Sequence, residues 1–177
     1  MAFYYFDADP LLRWAETQAS GADTSCTQIA GEVNRLIANS DNINAISEVT
    51  IIEYQSTLFN WYRDSEKSPF DLEKAHYCFN QLMVWIDQGR IEVLELPSKW
   101  IEKALAYIRT AATERAGSLR SWDAAHLFQA CDWAKKTGAI VNIVTNDSAF
   151  YKFIKVFPEF TAHVKIYNPR TKKTYPG

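Results

Sequence analysis

The chain has few cysteines, and none of them are close together. Cys26, Cys78 and Cys131 lie far apart, with no CxxC spacing, and their odd number argues against a closed disulfide framework and for a reducing compartment. Long apolar runs are missing too. No stretch approaches the ~18 consecutive apolar residues of a membrane span, and Asp7 and Asp9 stand near the start without a basic leader. These absences predict a soluble, cytoplasmic protein that does not bind a membrane. Neither sign of charge dominates: 19 Lys and Arg face 21 Asp and Glu, for a net charge of -2 and a pI near 5.9. A polyanion would therefore have to bind a local basic patch, because there is no global attraction. Internal repeats, low-complexity segments and evident linkers are also lacking. What is present is 177 residues, 47% hydrophobic and 14% aromatic, enough for one sizeable core and short for two. We therefore expect a single domain over 1–177, with a basic tail from about 168 that carries Arg170, Lys172 and Lys173.

Apolar runs alternate with helical periodicity. Ala2 to Phe6 is apolar on both faces, as in a covered central strand, and stops at Asp7. Asp9-Pro10 reads as an N-cap followed by Pro in the first helical turn. A helix is expected over Ser25 to Ala38, then a polar break over Asn39 to Asn44 and a strand over Ala45 to Val49. Thr50 reads as the cap of the next helix, and Ser68-Pro69 as the start of another that ends at Gly89. A strand over Ile91 to Leu96 and a helix over Pro97 to Ala116, closed by Gly117, follow. Ser121 opens a helix that ends at Gly138 and is rich enough in Ala, Trp and Phe for burial nearly all round. Ile140 to Thr145 is a strand that stops at Asn146-Asp147, a short helix runs from Ser148 to Val156, and Val164 to Tyr167 is a last edge strand. This alternation predicts an α/β fold around a mainly parallel sheet.

Acidic residues recur where strands stop or helices start: Asp7, Asp9, Glu53, Asp123 and Asp147. Most have a purely structural explanation. Thr50-x-x-Glu53 matches a capping box, Asp123 suits the first turn of its helix, and Asp9 and Asp147 suit N-caps. Asp7 has no such explanation, because an ionised carboxylate at the end of a buried strand needs a partner. All these positions share the crevice beyond the carboxyl ends of parallel strands, where helix N-termini also open. Acids gathered there repel one another, and a hard dication with oxygen ligands, Mg²⁺ or Mn²⁺, would relieve that repulsion.

Four segments, Tyr4-Tyr5-Phe6-Asp7-Ala8-Asp9, Ser47-Glu48-Val49-Thr50-Ile51-Ile52-Glu53, Trp122-Asp123-Ala124-Ala125-His126-Leu127 and Val144-Thr145-Asn146-Asp147, resemble in order and context the PIN-domain family, which includes VapC-type toxin ribonucleases. The resemblance implies a three-layer α/β/α sandwich and Mg²⁺- or Mn²⁺-dependent endonucleolytic hydrolysis of single-stranded RNA. It places catalysis and metal binding on Asp7, Glu53, Asp123 and Asp147, with Asp9, Thr145 and Asn146 in support and His126 as a packed, hydrogen-bonded histidine. It also implies an antitoxin protein as partner, a homodimer, and products with 5′-phosphate and 3′-hydroxyl ends. Ala8 departs from the family, which often has Ser or Thr there. For substrate contacts, Lys99, Lys103, Arg109, Arg115 and Arg120, or Lys152 and Lys155, could meet phosphates, and Trp14, Tyr54, Trp61 and Tyr62 could stack on bases. Each set has an ordinary reading as solvated face or core.

Two alternatives stand beside this one. Phe6-Asp7-Ala8-Asp9 also resembles the opening of haloacid-dehalogenase-like phosphohydrolases, with Asp7 as nucleophile and Asp9 as general acid. The other is a non-catalytic PIN-like module that binds a partner or RNA through its surface.

Overall fold

The computed structural model describes residues 1–19, 23–64, 70–96, 99–113 and 121–175. Within them the chain runs β1 (Ala2–Phe6), α1 (Ala8–Glu16), α2 (Thr24–Ala38), β2 (Asn42–Ser47), α3 (Glu48–Arg63), α4 (Leu72–Asp87), β3 (Glu92–Leu94), α5 (Trp100–Thr113), α6 (Ser121–Thr137), β4 (Val141–Val144), α7 (Ser148–Val156), a 3-10 turn (Pro158–Phe160), β5 (Val164–Asn168) and β6 (Lys173–Tyr175). The expected breaks at Ser68-Pro69 and Gly117 lie outside the described residues.

One six-stranded sheet, in the order β3-β2-β1-β4-β5-β6, runs through the centre, parallel throughout except for β6. The period-2 alternation of β1 sends Tyr4 and Phe6 into one core and Phe3 and Tyr5 into the other. The first core gathers side chains of α1 to α4, such as Leu11, Val33, Leu58 and Leu82. The second gathers those of α5 to α7, such as Ala104, Leu127 and Phe153. The result is a mainly parallel α/β/α sandwich of three layers, as expected. Parallel neighbours force the chain to cross over through helices, so every β-to-α turn of these strands opens on the same sheet edge.

Several boundaries differ from the expectation. The N-cap of α1 is Asp7 and not Asp9: its side chain accepts from the Ala8 amide, and Pro10 sits inside the first turn, where its missing N–H costs nothing. The strand-to-helix turn is simply one residue tighter than Asp9-Pro10 suggested. The polar stretch Asn42-Ile43-Asn44 is strand, because β2 pairs with β1 from Ala2↔Asn42 onward. Ser47, not Thr50, caps α3. The Ser47 hydroxyl accepts from the Thr50 amide at 2.9 Å and the Thr50 hydroxyl accepts from the Ser47 amide at 3.3 Å, a reciprocal pair that leaves Glu53 in the second turn with no capping role. β5 is not the sheet edge. Part of the expected basic tail folds back as β6, antiparallel to β5, with Ile166 opposite Tyr175.

Candidate metal centre

Beyond the carboxyl edge of the sheet lies an open cleft of about 940 Å³. Asp7, Asp9, Glu53, Asp123, Asn146 and Asp147 all line it. Each is delivered by a neighbouring strand or the helix packed beside it: Asp7 follows β1, Glu53 lies on α3 after β2, Asn146 and Asp147 follow β4, and Asp123 comes from the first turn of α6. Asp147 caps α7 by accepting from the Ala149 amide at 2.7 Å. The capping and cleft positions thus coincide.

Asp7 is the deepest of these acids, 8% exposed. Its Oδ1 accepts from the Ala8 amide at 2.8 Å and its Oδ2 from the Thr145 hydroxyl at 2.9 Å. Thr145 is itself held, its Oγ1 accepting from the Asp147 amide at 3.0 Å and its own amide donating to the Tyr167 carbonyl. One buried hydroxyl therefore ties the ends of β1 and β4 together. Burial pushes the Asp7 carboxyl up to about 6, against the opposing pull of His126 and the two hydrogen bonds, and the charge of Asp9 adds to the rise. Among the described residues no arginine or lysine pairs with Asp7.

His126 is fully buried on α6, with its ring between Glu53 and Asp7. Its Nε2 lies 3.0 Å from Glu53 Oε2 and 3.6 Å from Asp7 Oδ1, while Nδ1 meets the Tyr5 hydroxyl at 2.8 Å and Ser47 Oγ at 3.4 Å. Burial opposes its charge, yet the Glu53 hydrogen bond and the charges of Asp7, Glu53 and Asp123 raise its pKa above the ordinary histidine value. Its packed, hydrogen-bonded placement agrees with the sequence expectation. The wiring that sets Glu53 in place was not foreseen.

Asp9 is differently engaged. Its Oδ1 takes the Arg13 guanidinium at 3.2 Å and its Oδ2 the Asn146 amide nitrogen at 2.8 Å. Both oxygens are occupied, which counts against Asp9 as the free general acid of the phosphohydrolase alternative. The Oδ1 of Asn146 is buried without a hydrogen-bond partner.

A divalent ion fits this donor set. Asp7, Glu53 and His126 each offer a ligand atom within 4.8 Å of the others, and Asn146 adds an oxygen acceptor with no partner to a cleft lined by further carboxylates. Predominantly oxygen donors suit Mg²⁺ or Mn²⁺.

Other sequence candidates fall elsewhere. Trp14 and Tyr54 are core residues, and Trp61 packs against the same core. Lys99, Lys103, Arg109, Lys152 and Lys155 do not line the cleft, and Arg115 and Arg120 lie outside the described residues. Trp122, expected within a helix buried nearly all round, is instead 49% exposed and lines the cleft beside Asp123, with Trp100 stacked at 6.5 Å. The sequence could have signalled this, since Trp122 precedes the buried run that starts at Ala124.

No family model matches the chain, and no curated protein matches it. Solved structures do. The crystal structure of FitAcB from Neisseria gonorrhoeae aligns with a TM-score of 0.54 at 15% identity over 94% of this chain and 97% of that one. FitAB bound to an IR36 DNA fragment aligns equally well over 94% and 95%. VapBC2 from Rickettsia felis, bound to a DNA fragment from its promoter, aligns at 0.51 and 16% identity over 85% and 92%. These likenesses establish a shared fold. They also overturn the PIN-domain assignment read from the sequence: the neighbours are FitAB and VapBC2 assemblies, no family model supports the assignment, and identity this low carries architecture without membership. Among the described residues, no helix is long and apolar enough to cross a membrane.

Proposed function

We propose that this chain is a divalent-metal-dependent endoribonuclease acting on single-stranded RNA. The observation that carries the reading is Asp7, a nearly buried carboxylate with no arginine or lysine partner among the described residues, at the floor of a cleft shared with Glu53, Asp123 and Asp147. A protein gains nothing in stability from such an arrangement, whereas a bound dication makes use of it.

Asp7 would hold the ion with Asp123 and Asp147, which line the same cleft outside the tight Asp7, Glu53 and His126 group, and Thr145 fixes the rotamer of Asp7 through its hydrogen bond to Oδ2. Glu53 has one oxygen held by His126 Nε2. Its other oxygen is left to orient the attacking water and take up its proton. Tyr5 and Ser47 hold the far side of the imidazole, so the angle of Glu53 is set from the core. Bound Mg²⁺ or Mn²⁺ lowers the pKa of water and offsets charge on phosphoryl oxygens during in-line attack. Trp122 offers an exposed aromatic face beside Asp123 on which an unpaired base can stack.

The FitAB and VapBC2 neighbours come from toxin–antitoxin systems, and we extend the reading to a toxin restrained by an antitoxin protein. The test is incubation of the purified chain with a mixed RNA pool. With Mg²⁺ or Mn²⁺, internal cuts should yield fragments ending in 5′-phosphate and 3′-hydroxyl groups, and chelator or Asp7→Asn should abolish them. Intact RNA under all conditions, or a phosphoaspartate trapped on Asp7, overturns the reading.

A further inference from the structure

Six acids line the cleft, Asp7, Asp9, Asp23, Glu53, Asp123 and Asp147, against two arginines, Arg13 and Arg170. Arg13 is already engaged, donating to Asp9 at 3.2 Å and to Glu16 at 2.9 Å. Arg170 is exposed and, among the described residues, makes no ion pair in spite of these acids.

Topology explains how Arg170 reaches this rim. β5 is parallel to β1 and β4, so its carboxyl end opens on the cleft edge, and the antiparallel β6 makes the chain turn at that end. In sheet order the cleft meets the ends of β2, β1, β4 and then β5, which places the turn at residues 169–172 beyond Asp147. The turn is also held firmly. Asn168 Oδ1 accepts from the amides of Arg170 and Thr171, each at 3.0 Å, and the Lys172 amide donates to the Asn168 carbonyl at 2.9 Å. Lys172 adopts φ +55, a left-handed conformation that a lysine enters only when its surroundings impose it. Its ammonium lies 3.5 Å from Glu32, whose fully buried carboxylate also takes the Tyr167 hydroxyl and the Arg35 guanidinium. A buried anion thus anchors a surface hairpin whose tip carries an unpaired cation.

Resting on the nuclease reading above, we propose that Arg170 binds a backbone phosphate of the polynucleotide substrate, next to the one that is cleaved. Its place at the far end of the row of acids sets the direction of the strand across the sheet edge. A cleft with this many carboxylates repels a polyanion, and a guanidinium carried at its rim by a backbone-anchored turn supplies the fork geometry that holds one phosphate. The neighbouring Lys173, exposed on β6, does not line the cleft and serves as an internal control.

The experiment measures binding of a short fluorescent single-stranded RNA by anisotropy across a salt series. Ca²⁺ replaces Mg²⁺, and a gel verifies that the probe stays intact. Cleavage in Mg²⁺ is followed in parallel. Arg170→Gln should weaken binding roughly five- to tenfold and lower the slope of log affinity against log salt by about 0.7, the share of one phosphate on a single strand. KM should rise and kcat should hold, Arg170→Lys should restore part of the affinity, and Lys173→Gln should leave all three quantities unchanged. Unchanged affinity and slope in Arg170→Gln, an equal loss in Lys173→Gln, or no RNA binding by the unaltered protein overturns the proposal. If the unaltered protein binds but never cuts, while Arg170→Gln still lowers affinity and slope, the phosphate site stands and the hydrolytic reading fails. If it cuts normally and Arg170→Gln changes nothing, only the phosphate site fails.

Discussion

Two buried carboxylates in this molecule receive opposite treatment. Glu32 on α2 is 1% exposed and surrounded by compensation: Arg35 at 2.5 Å, Lys172 at 3.5 Å and the Tyr167 hydroxyl. Burial works against its charge, but these partners outweigh burial and hold its pKa below the usual glutamate value. Asp7 is 8% exposed and has a helix amide, a threonine hydroxyl and a histidine that it shares with Glu53. Burial wins there, and its carboxyl rises to about 6. The fold can neutralise an interior acid when the acid serves architecture. Asp7 lacks that neutralisation, as a carboxylate that takes its positive charge from outside the chain should.

The largest way to break this comparison is Asp7→Asn. Loss of the ligand should remove several kcal/mol of transition-state stabilisation, a fall on the order of a thousandfold in kcat/KM for RNA cleavage, while the metal-free melting temperature holds or rises. A fall in that temperature would place Asp7 with Glu32 as a structural acid.

Acidity sharpens the contrast further. Asp7 has a folded pKa near 6, above its unfolded value, so between those values the folded state carries the extra proton and stability falls as pH rises. His126, also raised, acts in the same direction at and above the ordinary histidine range. Metal-free protein should therefore lose roughly 2 kcal/mol from Asp7 alone between pH 4 and 6.5. Mn²⁺ should restore stability above pH 6 and little below it, because protons compete for Asp7. Thermal melts across pH with and without Mn²⁺ check this, and a Mn²⁺ shift independent of pH would count against Asp7 as ligand.

Glu32→Gln should do what Asp7→Asn does not, lowering stability by about 2–3 kcal/mol, less than a fully buried pair because Arg35 and Lys172 are half-exposed and can return to water. Urea denaturation reads that loss, and kcat per folded molecule should survive. Thr145→Val removes the donor to Asp7 and the acceptor for the Asp147 amide. It should cost roughly tenfold in kcat, about 1.4 kcal/mol, and a larger effect on KM than on kcat would assign Thr145 to binding instead. The smallest effect expected is from Trp122→Ala, a rise in KM of about fivefold from a lost stacking face, absent for an abasic oligonucleotide.

Much of this was readable from local pattern. Strand ends marked by apolar runs located Asp7 and Asp147, and the first turn of α6 located Asp123, because burial and capping leave short-range traces in sequence. The cap of α3 was misplaced because Ser47 and Thr50 both suit the role. Which of them serves depends on where β2 stops against β1. His126 was expected to be packed, but its bonds to Tyr5, Ser47 and Glu53 span up to 121 residues of chain. Glu32 looked like any helical glutamate, since its partners Tyr167 and Lys172 arrive from β5 and the turn after it. The basic segment at the end read as a tail because a three-residue edge strand carries almost no periodicity.

The order of residues by itself determined the alternation of strand and helix, and with it the parallel sheet and the edge on which its turns open, because hydrophobic period and capping act within a few residues. Only the tertiary structure decided which acids are neutralised, which aromatic ring faces the cleft and where Arg170 stands. Those outcomes depend on burial and on partners distant in the chain, and no local pattern records either.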